Sequence, residues 1–337
     1  MIVGVDAMGG DFAPKNEILG AKLAFDEFAS QGIDIYLYGQ TKRIKEFAKL
    51  NNVDPTLFTL IEAKDIIEMG DDPTEILKKK KDSSLYRGLS DLANKKIDAF
   101  VSAGNTGATL TTSTVLLGRI PGVSRPTIAS FFPTTKQRPT LLIDVGATID
   151  HKSRFLYEFA LMGSIYYNLA YKIEKPTVAL LNIGEEPTKG TEAIKEAYGL
   201  LQNSDLNFVG NVEGRDILHG TVDVVVCDGY VGNVILKFAE SFGSMLKTKL
   251  KQISQISLLN KIKVALSIPA LKGLFKELDY QEYGGVPVLG VNGISIVGHG
   301  KSSPKAIKNM IRKAIELKKN NLVSKIENII NQNTKQN

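Results

Sequence analysis

One cysteine, Cys227, stands in a chain of 337 residues. It excludes an internal disulfide framework and a cysteine-rich zinc site, and it suits a reducing compartment. The three histidines, His151, His219 and His299, lie far apart, so no histidine-cluster metal site is expected. No basic region precedes the first apolar run, and Asp6 and Asp11 interrupt it, so the start does not read as a signal peptide. The longest uncharged run, 99–118, has twenty residues. That is long enough to cross a bilayer, but Gly, Ser, Thr and Asn fill it, and it is rejected as a span. The chain reads as cytoplasmic.

What is present is ordinary in bulk and uneven in detail. Hydrophobic residues at 43% and charged residues at 23% exclude wholesale disorder and a collagen-like chain. The length allows two or three domains or one large α/β unit. Segment 245–276 carries seven lysines and no acid, and 301–337 carries nine basic and two acidic residues. Each is +7, which leaves −8 for the rest of a chain whose net charge is +6. Two basic segments on an acidic body point to an anionic partner: a membrane surface, nucleic acid or an acidic protein.

Short apolar runs alternate with amphipathic stretches. The strand candidates are 1–5, 34–38, 99–102, 140–144, 177–182, 207–209 and 222–227. Helical periodicity covers 14–29, 41–51, 155–171, 191–202 and 233–251. This alternation predicts parallel βαβ units in a doubly wound α/β sheet with helices on both faces. The expected organisation is one catalytic unit over 1–320, interrupted by a helical hairpin at 245–276. A frayed tail is expected over 321–337. Pro269 is expected to divide the long helical segment. Its apolar residues include Leu258, Leu259, Ile262, Leu266, Leu271 and Phe275, among Lys261, Lys263, Lys272 and Lys276. Two readings stand: a hairpin packed into the core, or a basic amphipathic tip lying in a membrane interface. The acid-free composition favours the second.

Six strand candidates end in turns rich in Gly, Asn or Asp. They hold Asp6, Gly9, Gly10 and Asp11; Asn105, Thr106 and Gly107; Asp144, Gly146 and Thr148; Asn182, Gly184, Glu185 and Glu186; Arg215; and Asp228, Gly229, Gly232 and Asn233. Ligands in open α/β sheets bind beyond the carboxyl ends of strands. Glycine lets backbone N–H groups approach an oxyanion, and a following helix N-terminus adds a favourable dipole. Six such loops are expected on one edge. None is a Walker A sequence or a dinucleotide fingerprint, so nucleotide binding is disfavoured and an oxyanion such as phosphate is favoured.

The loops DAMGGDFAP at 6–14, SAGNTGA at 102–108, NIGEE at 182–186 with Lys189-Gly190, GNVEGRD at 210–216, DGYVGNVILK at 228–237 and GHGKS at 298–302 run in the order of a known family. The chain resembles the acyl-ACP:phosphate acyltransferases of bacterial phospholipid synthesis from residue 1 to about 320. Thr148 departs from the pattern: the family usually has Asn there, so the chain keeps a hydroxyl and loses an amide. The resemblance implies transfer of a fatty acyl group from acyl carrier protein to inorganic phosphate, without a cofactor. It implies a Rossmann-like α/β/α sandwich related to phosphotransacetylases and the isopropylmalate dehydrogenase group. It also implies a homodimer at the inner face of the cell membrane, binding no nucleic acid and feeding a membrane glycerol-3-phosphate acyltransferase.

Attack of phosphate on a thioester needs no protein nucleophile, because phosphate is already anionic and a thiol, with a pKa of roughly 8.5, leaves readily. The protein must hold phosphate beside the thioester and stabilise a tetrahedral oxyanion. This fits a chain without a persuasive Ser-His-Asp or Cys-His arrangement. Lys189, at a helix start after Glu185-Glu186-Pro187-Thr188, is the first catalytic candidate; otherwise it is an exposed helix-start lysine. Asn233 is the second, as an oxyanion donor, an N-cap or both. Asp6 and Asp11 shape the first loop, His299 lines the site or stabilises its loop, and Arg215 binds an anion or pairs with an acid. Cys227 reads as a buried strand residue. A phosphotransacetylase acting on short acyl-CoA is the competing enzyme. A non-enzymatic lipid-binding scaffold would explain the hairpin but not the loops.

Overall fold

The computed structural model describes residues 1–149, 152–277 and 284–334; the side chains of 244, 247, 268–277 and 334 lie outside that description. Eleven strands among the described residues form one sheet. They are β1 (Ile2–Asp6), β2 (Asp34–Gly39), β3 (Thr59–Glu62), β4 (Ala99–Ser102), β5 (Thr127–Phe132), β6 (Thr140–Ile143), β7 (Thr177–Leu181), β8 (Asn207–Val212), β9 (Val224–Val226), β10 (Val286–Leu289) and β11 (Ile294–Val297). Their order is β3-β2-β1-β4-β11-β10-β5-β6-β9-β7-β8.

Successive side chains in a strand point to opposite faces, and the central strands are apolar on both. Val3 and Val5, Ala99 and Val101, Leu141 and Ile143, and Val224 and Val226 pack on one face with Ile18, Phe159, Ile307 and Ile311. Phe100, Leu142 and Val225 face the other way, with Leu85, Leu89, Ala108 and Ile217. The helices Lys15–Phe28, Ser153–Tyr171 and Pro304–Lys319 thus cover one side, and Ser84–Ala93, Thr106–Leu117 and Gly214–His219 the other. The result is the expected α/β/α sandwich. The uncharged run at 99–118 is β4 plus a helix, and no described helix is long and apolar enough to cross a membrane.

Strand direction corrects one expectation. The strands β3, β2, β1, β4 and β11 are parallel, as are β6, β9, β7 and β8. Between the two groups, β11–β10, β10–β5 and β5–β6 are all antiparallel. Three reversals turn the second group against the first, so the six loops do not share one edge. Those after β1 and β4 lie on one edge of the sheet, and those after β6, β7, β8 and β9 lie on the other. The strands responsible, β5 and β10, were not anticipated; β10 carries Pro287, which argues against a strand in a sequence.

Two further expectations give way. The long helical segment divides at Ser257, whose backbone is extended, into helices Gly229–Ile256 and Leu258–Glu277. The Ser257 hydroxyl accepts from Asn260 N–H and so starts the second helix, which then runs through Pro269. The two helices pack as a hairpin. The expected frayed tail is, through residue 334, a helix, Leu322–Thr334, whose Leu322, Ile326 and Ile330 are buried and join the core. Removing a buried Ile side chain costs roughly 2–5 kcal/mol. Ile326→Ala should therefore lower the urea unfolding midpoint clearly; an unchanged midpoint would restore the frayed tail.

Candidate active site

The second edge is built around a buried carboxylate. Asp144, at the end of β6, is inaccessible to solvent. It accepts hydrogen bonds from the N–H groups of Gly146, Ala147 and Thr148 and from the Thr148 hydroxyl. Burial raises its pKa, and these bonds to its charged form oppose the rise. The Thr148 hydroxyl therefore serves the turn. Gly229 and Gly232, at the start of helix Gly229–Ile256, pack on this turn; a Cβ at Gly232 would land on the Asp144 carbonyl oxygen. Cys227 also faces that carbonyl, its Sγ at 3.3 Å, and burial pushes its thiol pKa well up. A buried neutral thiol is no nucleophile.

Asp228 caps the long helix, its carboxylate accepting from Val231 N–H at 2.9 Å. Asn233 is therefore not the N-cap. It lies one turn inside the helix, exposed, with its side chain beside Gly146. The neighbouring loop, after β7, is held by amides. Asn182 accepts from Ile183 N–H and donates to the Lys189 carbonyl at 3.0 Å. Asn211, at the end of β8, donates to the Glu186 carbonyl at 3.0 Å. Lys189 is exposed and lies across Gly184, as does the Glu186 carboxylate; the lysine has no ion-pair partner among the described residues. Arg215 is paired with Glu213 at 2.9 Å and with Glu185 at 3.9 Å, which favours the pairing reading of that residue.

The first edge has a different character. Asp6 is buried and accepts from Met8 N–H and from the hydroxyls of Ser84 and Ser102. Gly9 packs against Gly104, and Asp11 N–H donates to the Gly300 carbonyl at 2.8 Å. Asn105 is fully committed: it caps its helix through Ala108 N–H and donates to the carbonyls of Met69 and Asp71. Thr106 is exposed and Gly107 packs on Pro73. His299 stabilises its own loop, its Nδ1 accepting from Lys301 N–H. Glu17, unforeseen in the sequence, lies buried under Gly10, with one carboxylate oxygen unpartnered among the described residues. Burial, with the charges of Asp6 and Asp11, pushes its pKa up to about 8.

The structure thus brings Asp144, Gly146, Thr148, Asn182, Gly184, Glu185, Glu186, Lys189, Arg215, Asp228, Gly229, Gly232 and Asn233 to one edge. Asp6, Gly9, Gly10, Asp11, Asn105, Thr106, Gly107 and His299 gather at the other. Ser84 and Asn211 were missed as contributors: Ser84 reaches Asp6 from 78 residues away, which no local pattern signals. A groove of about 570 Å³, lined by Tyr157, Glu196, Leu200 and Asp205, touches neither set. Among the described residues, no group of three His, Cys, Asp or Glu is arranged to hold a metal. His151 lies outside the described residues.

Comparison with known proteins gives a consistent picture. The family model for "Fatty acid synthesis protein" matches residues 1–325. A phosphate acyltransferase from Heliobacterium modesticaldum is 45% identical over 328 residues, covering 97% of each chain. One from Dictyoglomus turgidum is 42% identical over 327 residues, covering 97% of this chain and 96% of that one. Among solved structures, a phosphotransacetylase from Streptococcus pyogenes has a TM-score of 0.59 at 16% identity, covering 94% of each chain. A branched-chain phosphotransacylase from Enterococcus faecalis has a TM-score of 0.56 at 14% identity, covering 94% of this chain and 99% of that one. At such identities these structures speak to the fold alone.

Glu17 gives a prediction with a defined sign. Its pKa is raised on folding, so the folded state holds its proton longer than the unfolded chain. Stability is then lost as pH rises from about 4.5 to about 8 and levels off above. Glu17→Gln removes this loss. In urea unfolding, the variant should match wild type near pH 4 and exceed it by a few kcal/mol at pH 9. A difference independent of pH would remove Glu17 as the source.

Proposed function

This chain belongs to the Fatty acid synthesis protein family, that of the phosphate acyltransferases, and from that premise we propose how it works and on what. It is an acyltransferase, and the acceptor of the acyl group is phosphate. Phosphate sits at the second edge of the sheet, between the Asp144 turn, the N-terminus of helix Gly229–Ile256 and Lys189. The observation that carries this reading is the contrast between the edges. The second presents an exposed ammonium, an exposed amide and a helix N-terminus, with Asp144 bonded within its own turn and Glu185 paired with Arg215, whereas at the first Asp6 and Asp11 stand close enough to help push the Glu17 pKa up to about 8. Anions favour the former on dipole and Coulomb grounds.

The acyl donor is a long-chain thioester of acyl carrier protein. A phosphate oxygen attacks the thioester carbonyl and a C–O bond forms. The tetrahedral oxyanion is met by the Asn233 amide, and Lys189 holds the phosphate against the carbonyl. Collapse breaks the C–S bond and releases the thiolate, which takes a proton from solvent. The products are acyl phosphate and free carrier, and positioning plus electrostatic stabilisation suffice for the rate.

The hairpin tip lies on a membrane, where the product is handed to a glycerol-3-phosphate acyltransferase, and the enzyme works as a homodimer. Support for the membrane reading is that Leu258, Leu259, Ile262 and Leu266 are 50–75% exposed, with Lys261 and Lys263 exposed between them. A core hairpin would bury them. Leu271 and Phe275 have side chains outside the described residues. Each such apolar side chain is worth roughly 1.5–3 kcal/mol when buried, and each lysine near an anionic surface about 1 kcal/mol.

Incubation with phosphate and long-chain acyl carrier protein should give acyl phosphate. Lys189→Ala and Asn233→Ala should each slow its formation about 100- to 1000-fold in folded protein. Wild-type rates in either would remove that residue, and transfer only from short acyl-CoA would return the phosphotransacetylase reading. For the tip, Leu259→Glu or Ile262→Glu should abolish sedimentation with anionic vesicles and leave turnover of soluble substrate intact. Wild type remaining in the supernatant at low salt would rule the membrane contact out.

A further inference from the structure

The loop that carries Lys189 has little of its own to hold it. It is exposed from Glu185 to Lys189, and the helix that follows begins only at Glu192. Its bonds to the sheet come from two asparagines, each on a different strand end. Lys189 N–H donates to the Glu186 carbonyl at 3.1 Å, and that same carbonyl accepts from Asn211 Nδ2 at 3.0 Å. The Lys189 carbonyl accepts from Asn182 Nδ2, also at 3.0 Å. Asn182 is fixed in turn: its N–H donates to the Val212 carbonyl at 2.8 Å and its Oδ1 accepts from Ile183 N–H. Gly190, with φ +89°, lets the chain pass over the Asn182 amide, which a Cβ would strike.

Both peptide groups of Lys189 are therefore tied, directly or through one carbonyl, to amides at the ends of β7 and β8. We infer that Asn182 and Asn211 are positioning residues that fix the Lys189 backbone for phosphate transfer, rather than ligands of the substrate. The inference rests on the proposed role of Lys189. Asn211 gives the second argument. It is buried, and its Oδ1 has no partner among the described residues. An open buried acceptor is destabilising, and an apolar residue would avoid it. The side-chain bond that Asn211 makes among the described residues is to Glu186 O, which also accepts from Lys189 N–H. Asn182 is thereby reassigned from binding phosphate to holding the loop.

The test is a double-mutant cycle. Asn211→Asp and Asn182→Asp keep shape and the Oδ1 acceptor but replace the donating Nδ2 with oxygen. Asn211→Ala is the uncharged alternative should the aspartates not fold. Each is measured alone and with Lys189→Ala, for kcat and for KM of phosphate, with urea unfolding alongside. If the asparagines act through Lys189, each single variant loses about tenfold or more in kcat/KM for phosphate. The same change made on Lys189→Ala loses less than about twofold, because contacts in one network are not additive. Equal losses in both backgrounds, or wild-type kinetics in the folded variants, would overturn the inference while leaving Lys189 catalytic. A wild-type rate for Lys189→Ala alone would instead overturn the role on which it rests.

Discussion

Parallel strands deliver their following loops to one edge of a sheet, and three antiparallel pairings in the middle of this sheet reverse that edge. The distribution of chemistry follows from this reversal. Loops similar in sequence, each a strand end with Gly, Asn or Asp, are sorted into two groups that no local feature distinguishes. The β1 and β4 loops form a carboxylate-centred cradle closed by Ser84, Ser102 and the chain around Gly300. The loops after β6, β7, β8 and β9 gather at the other edge, with Asp144, Lys189 and the start of the long helix among them.

At each edge a buried carboxylate organises backbone, but its neighbours differ. Asp144 satisfies three successive N–H groups and a hydroxyl, so its charge is spent inside the turn. What faces outward includes the helix N-terminus and the exposed side chains of Lys189 and Asn233, with Glu185, Glu186 and Arg215 beside them. Asp6 is comparably satisfied and Asp11 lies near it, while Glu17, its pKa pushed up to about 8, is neutral at neutral pH and adds no charge. A doubly charged phosphate would meet like charge there. Burying a carboxylate without a partner is costly, and the rise in the Glu17 pKa is the protein's response.

Much of the fold was legible in the sequence because burial on both faces leaves a plain mark. The expected runs at 99–102, 140–144 and 177–182 agree with β4, β6 and β7 to within a residue. The antiparallel strands escaped notice for physical reasons: Pro287 interrupts β10, and Thr127 and Ser130 break the apolar run of β5. Without them the sheet's reversal had no visible sign, and the loops read as one site. Individual residues fared unevenly. Asp228 took the capping role offered to Asn233, since the cap depends on where the first turn begins rather than on which amide is nearer the helix. The helix over 322–334 was hidden by its Asn- and Gln-rich composition, although Leu322, Ile326 and Ile330 recur at helical spacing.

The central claim is that phosphate binds at the Lys189 edge. It is tested most directly by labelling with an amine-reactive reagent, read peptide by peptide by mass spectrometry, with and without phosphate. Lys15, at the helix start after the β1 loop, and Lys301, on the loop after β11, are exposed at the opposite edge and serve as internal comparisons. The expected result is saturable protection of Lys189 by phosphate, with Lys15 and Lys301 labelled at unchanged rates. Protection of Lys15 or Lys301 with none at Lys189 would contradict the assignment and move the anion site to the Asp6 cradle.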